Sequence, residues 1–402
     1  MQGEDIIIFS SDDWGWKTSK YQLSIRFAEA NRVLFVSSIG FRAPTASSGD
    51  LRRIFRKLMS FFRGLDRKSE NLYVLTPLVI PFRRFPLIGA INRWMLRLQL
   101  QYAKRKLGIV SPYLFVFSQN WYDYIGKIAG KKLVYYCVDE HSGFSGIAQE
   151  RFERQDRLMS EKADLILCSS RTLFEKNRAR NRQTHYLPHG VNFELFATAL
   201  DENLPIAPDI KRIDPPIILF FGHVSYDWVD HDLVKALARS RTDWSFVMLG
   251  RYSMAPEEFS DTPNVHLLGE RPFEALPSYC RGADLGIIPF VDSELTRNCN
   301  PLKLFEYLAA GLQVVSSDIP EVRQYADSVY IARGAKEFQR AIEQALGREY
   351  AAAARALSES MADESWDNRV ERIYQLLTET PATSDEEAET QEAAISSSSA
   401  AN

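Results

Sequence analysis

The 402-residue chain has only four cysteines, Cys137, Cys168, Cys280 and Cys299. They are far apart and form no C-x-x-C pair, so they read as buried thiols rather than disulfides or metal ligands. No run approaches the ~18 consecutive apolar residues that a membrane-crossing helix requires. Its opening residues, Met1-Gln-Gly-Glu-Asp, carry acid where a secretion signal carries base, which predicts a cytoplasmic chain. No G-x-G-x-x-G fingerprint follows the first strand-like run of either half. The early acids of SSDDWGWKTS, residues 10–19, would repel a pyrophosphate, which argues against a nicotinamide or flavin enzyme. No D-x-D carboxylate pair stands at a strand end and no His or Cys cluster has metal-ligand spacing, so neither a metal nor a cofactor is expected.

What is present is an ordinary globular mixture, 45% hydrophobic and 25% charged, long enough for two domains. The net charge of −3 conceals an asymmetry: residues 1–110 carry 19 Lys+Arg against 8 Asp+Glu, while the last 22 residues carry five acids and no base. Base is densest from Leu51 to Lys68, where seven Lys+Arg face one acid. Leu51, Ile54, Phe55, Leu58, Phe62 and Leu65 there keep the spacing of one helix face. Such a segment suits an anionic membrane surface, which would make the protein peripheral on the inner face of the plasma membrane; the alternative is a helix packed on its own sheet with a solvated basic face. No motif accompanies the charge that would make nucleic acid a partner.

Short β-branched and aromatic runs alternate with segments of helical period. Six lie in the first half: 6–10, 32–38, 72–76, 113–118, 132–138 and 164–169. Six more follow at 217–222, 244–250, 264–269, 284–290, 312–317 and 328–332. Nearly continuous hydrophobicity means burial on both faces, as in a parallel sheet covered by helices. The reading is α/β, two tandem doubly wound Rossmann-like domains: 1–200, a proline-rich linker 201–216, 217–380, and a disordered tail 381–402. The last helix, with Trp366, Val370, Ile373, Tyr374 and Leu377 suitably spaced, is expected to be ordered and to pack back on the first domain.

Open parallel sheets bind ligands at the carboxyl ends of their strands. The informative stretch there is NCNPLKLFEYLAAGLQVVSS, residues 298–317. Asn300 suits an N-cap, Pro301 the first helical position, and Gly311 the close of the helix. A helix N-terminus at that edge favours phosphate. Lys303 in its first turn can add charge, and Glu306 can accept hydrogen bonds from a ribose diol; the alternative is that both are solvent-facing residues of an amphipathic helix. A small-residue turn, FFGHV at 220–224, follows the first strand of this half and lets a backbone approach a phosphate.

Together these segments resemble the GT-B glycosyltransferases, specifically the nucleotide-sugar-dependent glycosyltransferase family 4, in a branch like those that build teichuronic acid and other exopolysaccharides. The stretches that carry the resemblance are KLVYYCVDEHSGF (132–144), EKADLILCSSRTLFEK (161–176), YLPHGVNFELF (186–196), LFFGHV (219–224), NVHLLGERPFEALPSYCRGADLGIIPF (264–290) and NPLKLFEYLAAGLQVVSS (300–317). The resemblance implies two domains facing across a cleft, the first for the acceptor and the second for the nucleotide diphosphate-sugar. It implies that Glu306 is the second glutamate of the E-x7-E motif, that Gly222 and His223 face the diphosphate, and that Arg271 and Pro272 bracket the base. Asp139 or His141 would reach the donor sugar from the first domain. The first motif glutamate is replaced by Asn298, an amide that can bond a hydroxyl but carries no charge. The family's Arg and Lys pair after the first strand of the second domain is missing, which leaves Lys303 to supply the positive charge.

The function implied is a retaining, metal-independent hexosyltransferase, moving a sugar from a nucleotide diphosphate-sugar, UDP-sugar favoured, to a glycan or lipid-linked acceptor in cell-surface polysaccharide synthesis. Its chemistry asks the protein for positioning and electrostatics. Trp14 and Trp16 can stack on an acceptor sugar or fill the core. The alternative function is a non-catalytic nucleotide-sugar-binding or scaffold relative at the membrane. His185, His231 and His266 are expected to be structural and without partners.

Overall fold

The computed structural model describes residues 1–39, 65–80, 86–126, 128–138, 149–255, 257–347 and 350–379. They divide into two units, each with its own parallel sheet. Of the described residues, the first takes those within 1–138, 149–187 and 370–379, and the second those within 188–369.

The first unit has strands β1 (Asp5–Phe9), β2 (Arg32–Val36), β3 (Asp66–Arg67), β4 (Leu72–Leu75), β5 (Tyr113–Val116), β6 (Lys132–Cys137), β7 (Leu165–Cys168) and β8 (Thr184–Tyr186). They lie in the order β3-β4-β2-β1-β5-β6-β7-β8, all parallel except β3. Ile7, Phe9, Leu34, Val36, Leu114 and Val116 fill one face. Helices α1 (Ser19–Ala30), α2 (Pro86–Leu107), α3 (Gln149–Lys162) and α4 (Arg171–Arg178) alternate with the strands. Leu96, Leu100 and Ala103 of α2 join that core.

The second unit has β9 (Ile217–Phe221), β10 (Val224–Ser225), β11 (Ser245–Leu249), β12 (Tyr252–Ser253), β13 (Val265–Gly269), β14 (Leu285–Ile288), β15 (Val314–Ser317) and β16 (Val329–Ala332). Six of them run parallel in the order β13-β11-β9-β14-β15-β16, and β10 and β12 form a separate parallel pair. Counting from β9, this is the doubly wound order 3-2-1-4-5-6, which reverses between β9 and β14. Its longer helices are α5 (His231–Ser240), α6 (Leu276–Arg281), α7 (Leu302–Ala309), α8 (Gly334–Leu346) and α9 (Tyr350–Glu359). A final helix, α10 (Trp366–Glu379), begins in the second unit and ends in the first, where the Tyr374 hydroxyl accepts from Asn31 at 3.0 Å.

All twelve apolar runs form strands. The short strands β3, β8, β10 and β12 have too few residues to carry a hydrophobic signal of their own. The stretch 201–216, expected as a linker, lies in the second unit, with Ile210 fully buried in its core and Ala207 beside it. Of Leu51–Lys68, residues 51–64 lie outside the described part; the helical reading is corrected at its end, because Asp66–Arg67 pairs antiparallel with β4. The acidic residues 381–402 also lie outside it. All four cysteines are buried free thiols.

Helix α7 ends as its sequence dictates. Leu312 N–H bonds to Tyr307 C=O and Gly311 N–H to Leu308 C=O, both at 2.9 Å, with Gly311 at φ +76°. This is a Schellman close, and a β-carbon at Gly311 would stand 2.7 Å from Leu200 and 2.9 Å from the Ala354 carbonyl oxygen. Gly311→Ala is therefore expected to lower stability by roughly 1–3 kcal/mol in urea unfolding, from left-handed strain and this crowding together.

Candidate functional site

The site begins with the anchoring of α7. The Tyr307 hydroxyl accepts from Phe221 N–H at 3.0 Å and donates to the Leu219 carbonyl at 3.1 Å, so a helical side chain completes the backbone bonding of β9. Its ring lies 4.5 Å from that of Phe221. It also fills the space over Gly286 of β14, where a β-carbon would come within 2.8 Å of it. Fixing Tyr307 fixes Lys303 one turn earlier on the same face, and Glu306 beside it.

Lys303 lies over the turn that follows β9. A β-carbon at Gly222, where φ is +143°, would stand 3.2 Å from Cε and 3.4 Å from Nζ of Lys303. The ammonium is also 5.2 Å from the ring centre of Phe220 and 4.5 Å from that of Phe290. These faces attract a cation without neutralising it. Among the described residues, neither Lys303 nor Glu306 makes a hydrogen bond or an ion pair through its charged end. Both are half-buried, and burial penalises each charged form: the Lys303 pKa falls to about 8 and the Glu306 carboxyl is pushed up to about 7. The attraction between the two opposes both shifts without cancelling them. The expectation that both might simply face solvent is not met.

The floor of the site is backbone. Gly222, Gly250 and Gly269 stand at the carboxyl ends of β9, β11 and β13, with Gly222 N–H on the Leu249 carbonyl and Gly250 N–H on the Gly269 carbonyl, each at 2.9 Å. A β-carbon at Gly250 would sit 1.8 Å from the Gly222 carbonyl oxygen, so no other residue fits there. Helix α7 starts after Pro301 with no side chain capping it; Leu304 N–H already bonds the Pro301 carbonyl at 3.0 Å, which leaves the N–H groups of Leu302 and Lys303 to face an anion.

The other expected residues take varied places. Asn300 is not the N-cap, which is Pro301; Asn300 Nδ2 instead lies 3.4 Å from buried Glu321, and its Oδ1 is buried without a partner among the described residues. Asn298 donates through Nδ2 to the Glu294 carbonyl at 2.8 Å, closing the short helix Glu294–Arg297. His223 Nε2 is 2.7 Å from Ser253 Oγ. Arg271 is held by Asp209 at 2.7 Å and by the Tyr279 hydroxyl at 2.7 Å, and Pro272 starts the turn Phe273–Ala275. In the first unit, Trp14 packs against Tyr21 and Phe35 while Trp16 is exposed. Asp12 accepts from Thr18 and lies 3.4 Å from Lys20, making it a turn residue. Asp139 and His141 lie outside the described residues. His231, expected to lack a partner, lies 3.6 Å from Glu258, which Lys235 also pairs. Among the described residues no group of His, Cys, Asp and Glu is placed to hold a metal.

Sequence reasoning missed Tyr307 and Gly250. A tyrosine on an apolar helix face gives no hint that its hydroxyl will bond a strand. The recurring glycine that ends three strands, in FFG, MLG and LLG, was a visible signal.

The raised Glu306 pKa has a measurable consequence. The folded state holds this proton more tightly than the unfolded chain, so the contribution to stability is full below about pH 4.5 and lost as pH rises through about 7. Glu306→Gln, which cannot ionise, is expected to be more stable than wild type by about 1–2 kcal/mol at pH 8, and the difference should close near pH 4. Urea melts across that range measure it.

Residues 215–348 match the family described as Glycosyl transferases group 1. The putative teichuronic acid biosynthesis glycosyltransferase TuaH of Bacillus subtilis (strain 168) is 29% identical over 206 residues, 47% of this chain and 51% of that protein. The chain thus spans about half the length of the curated relative it matches. Two solved structures share the fold. Anabaena HepE, crystallised with UDP and glucose, superposes with a TM-score of 0.60 at 15% identity, over 94% of this chain and 100% of that one. Sucrose-phosphate synthase from Thermosynechococcus elongatus gives 0.65 at 15% identity, over 94% and 98%. The chain has the GT-B fold, and its residues 215–348 are similar to the glycosyl transferases group 1 family.

Proposed function

We propose that the protein is a retaining glycosyltransferase that moves a sugar from a nucleoside diphosphate-sugar to a glycan or lipid-linked acceptor in the synthesis of a cell-surface polysaccharide. The observation that carries this reading is the ammonium of Lys303 lying over the Gly222 turn, with Glu306 beside it, where the strand order reverses. An uncommitted cation, glycine backbone that admits close approach and an uncapped helix start favour a diphosphate. Glu306, once ionised, accepts from the two hydroxyls of a ribose. Uridine is the favoured base, in keeping with the UDP bound by the similarly folded Anabaena protein.

In this reading the acceptor hydroxyl bonds to the anomeric carbon on the face the diphosphate leaves. The bond from that carbon to the diphosphate oxygen breaks, its electron pair staying on phosphate, and the hydroxyl proton passes to the departing oxygen. Lys303 and the α7 N–H groups offset the developing negative charge. No metal is required in this scheme, because those groups take the role of a bound cation.

A thermal-shift panel of nucleoside diphosphates and their sugars tests this. A ligand at about a hundred times its Kd stabilises by about 2.7 kcal/mol. One nucleotide class should stabilise the wild type, and Lys303→Ala should bind it roughly 10–100-fold more weakly, with Glu306→Ala also impaired. Binding should take up protons near pH 8, as the diphosphate restores the charge of Lys303, and calorimetry in buffers of different ionisation enthalpy reads this. If no nucleotide binds, the reading fails. Tight binding without diphosphate release on adding acceptors would favour the non-catalytic alternative, which the engaged amide of Asn298 suits.

A further inference from the structure

We propose that the outer face of α2 docks the protein on an anionic lipid bilayer. The helix has two apolar faces. Leu96, Leu100 and Ala103 enter the core, and on the same side Asn92 and Gln99 clamp residues 78–80. Asn92 bonds both the N–H and the C=O of Ile80, at 2.7 and 2.9 Å, and Gln99 both those of Leu78, at 2.9 and 3.0 Å. These four bonds fix the rotation of the helix. At about 100° per residue, Leu87, Trp94, Leu98 and Tyr102 then form a stripe on the opposite side. They are 72, 61, 46 and 57% exposed, a contiguous row of large apolar side chains of the kind that marks an interaction surface.

The charge around the stripe points to the occupant. Residues 71–122 contain seven Lys+Arg and no Asp or Glu. Five of these bases are on α2: Arg93, Arg97, Arg105 and Lys106 are exposed and Lys104 is half-buried. Tryptophan and tyrosine beside arginine and lysine, on a helix about 33 Å long, match the boundary between headgroups and acyl chains. Other covers from this chain are a poor match. The same helix of a second copy carries the same five bases and no acid and would be repelled. The acidic residues 381–402 offer one large apolar side chain, Ile395, to four exposed ones.

Co-sedimentation of the full chain with vesicles tests this, comparing equal parts phosphatidylglycerol and phosphatidylcholine with phosphatidylcholine alone. The wild type should partition to the anionic vesicles and be released by salt. Trp94→Ala, Leu98→Ala and Tyr102→Ala combined should weaken that binding by at least about tenfold. Arg93→Gln with Arg97→Gln should weaken it by about 25-fold, about fivefold per charge. All these side chains are exposed, so both variants should keep the wild-type melting temperature. The proposal is overturned if the wild type ignores anionic vesicles, if both variants bind as well as it does, or if the apolar variant instead dissociates a dimer seen by analytical ultracentrifugation without lipid. None of these readouts depends on nucleotide binding, so they stand apart from the transferase reading.

Discussion

The hydroxyl of Tyr307 is the contact on which the second unit's site depends. It bonds an N–H and a C=O of one strand, and its ring occupies the room left by a glycine in the neighbouring strand. A helix held only by Leu304, Phe305 and Leu308 could slide along an apolar sheet at small cost, since hydrophobic contact has no direction. Two hydrogen bonds to backbone atoms do have direction. They set the height and rotation of α7, and so set where the charges one turn away must stand.

Those charges are held at a cost. Lys303 and Glu306 are close enough to feel each other yet are not paired, and both are drawn toward their neutral forms by burial. A direct ion pair would relieve the strain and occupy both groups. Aromatic faces under the ammonium give it partial compensation without occupying its hydrogen-bond donors, which take no partner among the described residues. In the proposed reading such an arrangement gains most from a dianionic group, which would restore the full charge of Lys303.

Much of this was legible in the sequence, for physical reasons that can be named. Strands buried on both faces are apolar throughout, so IILFF and LILC announce covered parallel sheets. Gly311 announced the end of α7 because few other residues adopt its backbone conformation. The start of that helix was less legible: Asn300 has good capping chemistry, but Glu321 competes for its side chain from 21 residues away. The same holds for Arg271, whose guanidinium goes to Asp209, 62 residues distant. Local propensity does not see such partners, and polar side chains are the ones most easily claimed by them.

The two sheets share one strand order around their first strands, yet only one presents an open turn among the described residues. In the first unit the position after β1 is taken by Trp121, whose indole N–H bonds the Ser10 carbonyl at 2.9 Å and whose ring lies 5.1 Å from Phe9. Asp12 adds negative charge to the same turn. In the second unit the equivalent position is Gly222, with a lysine above it. The same architecture therefore leaves the turn after the first strand open in one unit and filled in the other, and the difference rests on whether a strand ends in glycine or in a turn packed by tryptophan. Fold alone would not assign a diphosphate to either unit; in the proposed reading these few side chains make the assignment.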